Sequence, residues 1–224
     1  MPARQAAGFT LVELLIALFA MSLLAVLGWR GLDGMTRAQA YTEARADDVL
    51  TLQTGLAQWA ADLEAMDQQA GMPPAIDWNG RVLRLTRRST TKITEGVLVV
   101  GWARRNVPAG SVWMRWQSPP VTTRAELEQA WQRADLWAQN QGGGDAREVA
   151  VAPLDDWQVF FYRGNAWTNP QSSGIGSPGS PGPPPAPGAF APVPDGVRLV
   201  LALPAGQAIS GLITRDWVRP QVTP

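Results

Sequence analysis

The chain contains no cysteine and no histidine. The first absence removes thiol nucleophiles and disulfides. The second removes imidazole acid–base work and Ser-His-Asp triads, and together they remove nearly every zinc site. A net charge is missing as well: 19 Lys plus Arg balance 19 Asp plus Glu. No strong field therefore points to nucleic acid or to an acidic substrate. If the chain folds in an oxidising compartment, it does so without disulfides. What it has instead is tryptophan, 11 residues, enough for a core built on large aromatics. Its 224 residues suffice for one domain of ordinary size plus an appended helix.

Charge is also absent from Phe9 to Trp29, with one exception, Glu13. The run has no Pro, and at 1.5 Å per residue it spans about 30 Å as a helix, the thickness of a bilayer core. Trp29 closes it where an interface aromatic would sit. A cleaved secretory signal has an apolar stretch of only about 7–15 residues followed by an A-x-A-like site. Here the small residues precede the run, in Ala6-Ala7-Gly8, and a cut there leaves the helix in place with the amine of Phe9 at its tip. A carboxylate near hydrocarbon costs roughly 2.5–3.5 kcal/mol on insertion scales, so Glu13 calls for a function. Arg4 and the amino terminus precede the span, which orients the leader to the cytoplasm and the rest outward.

Gly8-Phe9-Thr10-Leu11-Val12-Glu13 resembles the processing motif of type IV prepilins and type II secretion pseudopilins. The resemblance implies cleavage after Gly8 by a prepilin peptidase, methylation of the new N-terminal Phe9, and an assembly role for Glu13. Glu13 would meet the amine of Phe9 on a neighbouring subunit, each neutralising a charge in lipid.

Beyond the span, Val49, Leu52, Leu56, Trp59, Leu63 and Met66 step by three and four along one helical stripe, with Asp47, Asp48, Asp62 and Glu64 off it. The pattern predicts that the helix continues, packs on the protein's own sheet, and stops at Gly71 and Pro73-Pro74. Gly28, Gly31 and Gly34 weaken it near the membrane exit, either for bending or for close helix contact. Strands follow. Ile76–Trp78 and Arg81–Leu85 flank Asn79-Gly80, the signature of a two-residue hairpin. Others are expected at Gly96–Trp102, Ser111–Gln117, Glu148–Ala152, Trp157–Arg163, Val197–Leu203 and Ala208–Trp217. Thr123-Arg124-Ala125-Glu126 reads as a capping box. Behind it Leu127, Ala130, Trp131, Ala134, Trp137 and Ala138 line one face of a helix ended by Gly142-Gly143-Gly144. Residues 170–194, with nine Pro and five Gly, read as a solvated loop inserted between strands.

Catalytic signals are weak. Gly142–Asp145 lacks the Lys-Ser or Lys-Thr of a phosphate cradle, and Asp155-Asp156 lacks the ligand spacing of a calcium loop. No cofactor and no enzymatic activity are expected. The body resembles pseudopilin J of the type II secretion system (the GspJ/PulJ family). The carrying runs are Trp29-Arg30-Gly31-Leu32, Leu56–Leu63, Val159–Trp167 and Pro194–Leu199. The resemblance implies an α+β fold, one long N-terminal helix with antiparallel sheets packed on its upper half. It implies a leader at 1–8, a transmembrane helix at 9–30, a periplasmic extension of that helix at 31–70 and a β-rich periplasmic domain at 71–224. It further implies a single-pass inner-membrane protein at the tip of a secretion filament, where it helps start assembly. The implied partners are the other minor pseudopilins, I and K, the major pseudopilin and the prepilin peptidase, with no nucleic acid. A minor type IV pilin and a membrane-tethered periplasmic binding protein remain as alternatives.

Overall fold

The computed structural model describes residues 9–67, 74–89, 96–108, 110–141, 147–171 and 193–220. Among the described residues the elements are two helices and nine strands, an α+β fold. The chain divides into two units, one ending at Asp47 and one beginning at Asp48. Helix α1, Leu11–Glu64, passes through that boundary.

In the second unit, two antiparallel sheets organise the chain. The first is a meander of β1 (Ile76–Trp78), β2 (Val82–Arg88), β3 (Val97–Val107), β4 (Gly110–Gln117) and β5 (Glu148–Pro153), paired in chain order. The second comprises β6 (Asp156–Arg163), β7 (Ala166–Thr168), β8 (Gly196–Leu203) and β9 (Gly211–Val218), in the order β7-β6-β8-β9. Period-two alternation gives the second sheet its inner face. Trp157, Val159 and Phe161 on β6 and Val197, Leu199, Leu201 and Leu203 on β8 point into one core. That core also takes Leu52, Trp59 and Leu63 of α1, and Leu83, Leu85, Val100, Trp102 and Trp113 of the first sheet.

The other face of the first sheet is buried too. Helix α2, Arg124–Ala138, covers it with Leu127, Ala130, Trp131, Ala134, Trp137 and Ala138, the residues expected from the sequence. Thr123 accepts from the amide of Glu126 while the Glu126 side chain accepts from the Thr123 amide, so the expected capping box is formed. The accepted backbone donors hold the Glu126 carboxyl below the usual carboxylate range, led by those of Thr122 and Thr123. All tryptophans except Trp29 and Trp167 are buried, in agreement with the compositional reading.

Four details depart from expectation. Asp62 does not lie off the buried stripe; it is 0% exposed in the middle of it, with the buried Gly55 about two turns before. A carboxylate is tolerable there because the sheet supplies donors. Arg87 Nη1 reaches Oδ1 at 2.5 Å, Arg115 donates to both oxygens at 2.8 and 2.9 Å, and Trp102 Nε1 donates at 2.9 Å. Gln58, one turn back on α1, adds a fifth bond at 2.9 Å. Second, α1 ends at Glu64 rather than near Gly71, because the chain turns into an isolated bridge between Met66 and Arg87. Third, the β1–β2 turn is wider than two residues. The Asn79 side chain accepts from the amides of Arg81 and Val82, and Gly80 sits at φ 86°. Fourth, β9 begins at Gly211 rather than Ala208, and the short β7 pairs with β6 around the Gly164-Asn165 turn. The expected stops at Gly71 and Gly142–Gly144, and positions 172–192 of the 170–194 loop, lie outside the described residues.

Candidate N-terminal processing and assembly site

Helix α1 starts at Leu11, which makes Thr10 its N-cap and Glu13 its third residue. Thr10 donates from its amide to Glu13 Oε2 at 3.0 Å and from its hydroxyl to the same oxygen at 2.8 Å. The amide of Glu13 returns a bond to Thr10 Oγ1 at 3.3 Å. This is a reciprocal capping box, Thr-x-x-Glu, which satisfies two of the four orphan amides at the helix start. The sequence carried that signal, the same four-residue spacing that marks Thr123 and Glu126, and the reading of Glu13 as an assembly residue passed over it. A carboxylate in the first turn also suits the positive end of the helix dipole.

Nothing else in the described first unit touches this corner. Phe9 is 89% exposed. Leu11, Val12, Leu15, Phe19, Leu23 and Leu27 are all more than half exposed, so the apolar surface lies open along the helix. Among the described residues, α1 is the one helix long and apolar enough to cross a membrane. Within the apolar run the Ser22 hydroxyl is satisfied by the helix itself, donating to the Phe19 carbonyl at 2.8 Å. A Cβ placed on Gly28, Gly31 or Gly34 would meet nothing within 4 Å. These glycines therefore leave a bare strip of backbone, compatible with either reading given above.

Gly8 lies outside the described residues; of the expected site the structure describes Phe9, exposed ahead of the helix, and Glu13, bonded to Thr10 in the first turn. Among the described residues no group of three or more Asp and Glu is placed to hold a metal ion.

Residues 3–29 match the prokaryotic N-terminal methylation motif. The motif contains Gly8, Phe9 and Glu13 and ends at Trp29, the residue that closes the apolar run. No curated protein matches the chain in sequence. Among solved structures, a chain of the GspK-GspI-GspJ complex of the enterotoxigenic Escherichia coli type 2 secretion system is similar. The identity is 17%, the TM-score is 0.47, and the match covers 78% of this chain and 99% of that one.

Proposed function

We propose that this chain is a minor pseudopilin of the type II secretion system, of the J type. It is a non-catalytic subunit at the tip of a periplasmic filament that helps to start filament assembly. One observation carries the reading: a methylation motif runs directly into an open apolar helix whose first turn holds a single carboxylate. In this reading a prepilin peptidase cuts after Gly8 and methylates the amine of Phe9. The helix then holds the protein in the inner membrane, with its start at the cytoplasmic side and residues from about 31 onward in the periplasm. Pseudopilins I and K and the major pseudopilin are the partners.

Glu13 has two tasks under this proposal. In the single subunit its carboxylate caps its own helix through Thr10. In the filament it also neutralises the amine of Phe9 on a neighbour, where a buried charge left alone costs about 3–5 kcal/mol. Two substitutions separate the tasks. Glu13→Gln keeps a side chain that can close the capping box but removes the charge; Thr10→Val removes the cap hydroxyl and keeps the charge. Cross-linking to the other minor pseudopilins, with secretion measured in the same strain, should fall more than a hundredfold for Glu13→Gln, since each 1.4 kcal/mol is tenfold. Thr10→Val should assemble nearly as well as the parent. If Glu13→Gln assembles and secretes normally, the carboxylate serves only as a cap and the assembly role is wrong.

A further inference from the structure

Beside α1, on the face of the first sheet that carries Trp102, an open groove of about 390 Å³ runs between the helix and β5. Leu50, Thr54 and Gln58 form its helix wall, Trp102 and Arg115 its floor, and Val149–Val151 its far wall. Its size falls within the range of ligand-sized pockets. The rims are apolar and open, with Leu50 59% and Val149 57% exposed.

Three features say what fits there. The first is charge. Arg115 is the one charged side chain among the described residues lining the groove. Its Nε and Nη2 are held by Asp62, and Nη2 also donates to Gln117. Nη1 has no hydrogen-bond partner among the described residues. Asp62 itself divides one negative charge between Arg115 and Arg87. The guanidinium is thus oriented from one side by a buried carboxylate and has donors to spare on the other, a preorganised seat for a second acid. The second feature is the strand. β5 is last in the order of its sheet and has one edge unpaired among the described residues. Unpaired edges template the addition of an extended segment.

The third is how that edge is guarded. The register with β4 slips by one residue so that Val151 has no opposite number, and Pro153 has no amide to offer. Glu148–Ala150 is the stretch of the strand that runs without interruption in register with β4. The Glu148 carboxylate is turned away, bonded to Arg105 and to the Trp137 indole, so it does not repel an acid in the groove. The edge is blocked at one end and open at the end nearest Arg115, whose Cα partner across the sheet is Val149.

We infer that this groove is a docking site for a short extended segment of a partner protein. That segment adds two or three residues beside Glu148–Ala150, packs apolar side chains on Leu50 and Val149, and places an Asp or Glu carboxylate on Arg115. The proposal stands independently of filament assembly and of the fate of Gly8.

A photo-reactive benzoylphenylalanine at Leu50, in the full chain in its own membranes, reads out the occupant once mass spectrometry locates the residue it joins. The adduct should map within a few residues of an Asp or Glu in a segment of extended conformation. Two further variants test the charge without touching the buried cluster, because Val149 is exposed. Val149→Glu should cut the adduct yield at least tenfold, whereas Val149→Lys should preserve or raise it. Changing the partner's acid to Lys should restore the adduct in the Val149→Glu background. Equal responses to Glu and Lys at 149 would overturn the proposal in favour of a purely apolar contact. An adduct on a partner helix, on a segment without an acid, or no adduct at all would overturn it outright.

Discussion

Asp62 shows how far a single residue can depart from its neighbours' pattern. One position before Leu63 and three after Trp59, it lies on the packed side of α1, yet an acid at that place reads as solvated. Its burial becomes possible only through Arg87, Trp102 and Arg115, which lie 25, 40 and 53 residues further along the chain. Helical periodicity carries no information about such distant donors, so this contact was not legible. Removing the acid leaves two guanidiniums facing an apolar core. Asp62→Ala should therefore destabilise the fold by about 3–5 kcal/mol, measurable by denaturant titration of the second unit's tryptophan fluorescence. A loss below about 1 kcal/mol would mean that the cluster is exposed to water in solution. The Asp216 pair is different in kind. Two bonds from Arg198, each 2.7 Å, hold the Asp216 carboxyl below its usual value. A depressed folded-state value adds stability above the unfolded carboxylate range and loses it as pH falls through the folded value. Both side chains are about a third exposed, at 34% and 38%, so the effect is small, under about 1 kcal/mol. Asp216→Asn should flatten the acid limb of the melting profile by that amount.

At the scale of elements, local chemistry was legible wherever one stretch settles its own structure. Helix α2 needed only its capping box and one apolar face, and both are where the sequence puts them. Thr123→Ala should cost about 1 kcal/mol, seen as a fall in melting temperature, and Thr123→Asp almost nothing. The β-strands were equally readable from alternation, but not their ends: β7 is three residues long, too short for a periodic signal. The close approach of α1 to β5 was hidden for another reason. A Cβ on Gly55 would lie 2.1 Å from Val151 Cγ1, and Val is β-branched and cannot swing aside. By propensity alone a glycine in mid-helix is a weak point; in the fold Gly55 is the place where the strand comes against the helix. Gly55→Ala raises helix propensity by about 1 kcal/mol, but overpacking of this kind costs typically 1–3 kcal/mol. The variant should be less stable than the parent; a more stable one would show that β5 can retreat freely.

For the whole molecule, the two units carry different kinds of information. The second is an α+β domain with two cores, held by tryptophan and by the buried ion cluster at Asp62, and without cysteine it has no disulfide. Its architecture explains stability and offers the groove beside β5. The first unit is where the chemistry of processing would act, and there the sequence speaks directly: small residues, then Phe9, then an apolar run with one acid. The mature amino terminus is thus the most direct test of the account. Intact-mass analysis and N-terminal peptide sequencing of the protein purified from its own membranes should find a chain beginning at Phe9 and carrying one methyl group on its amine. Gly8→Ala should slow that conversion. A protein that retains Met1, or one cut beyond Trp29, would contradict the account at its centre.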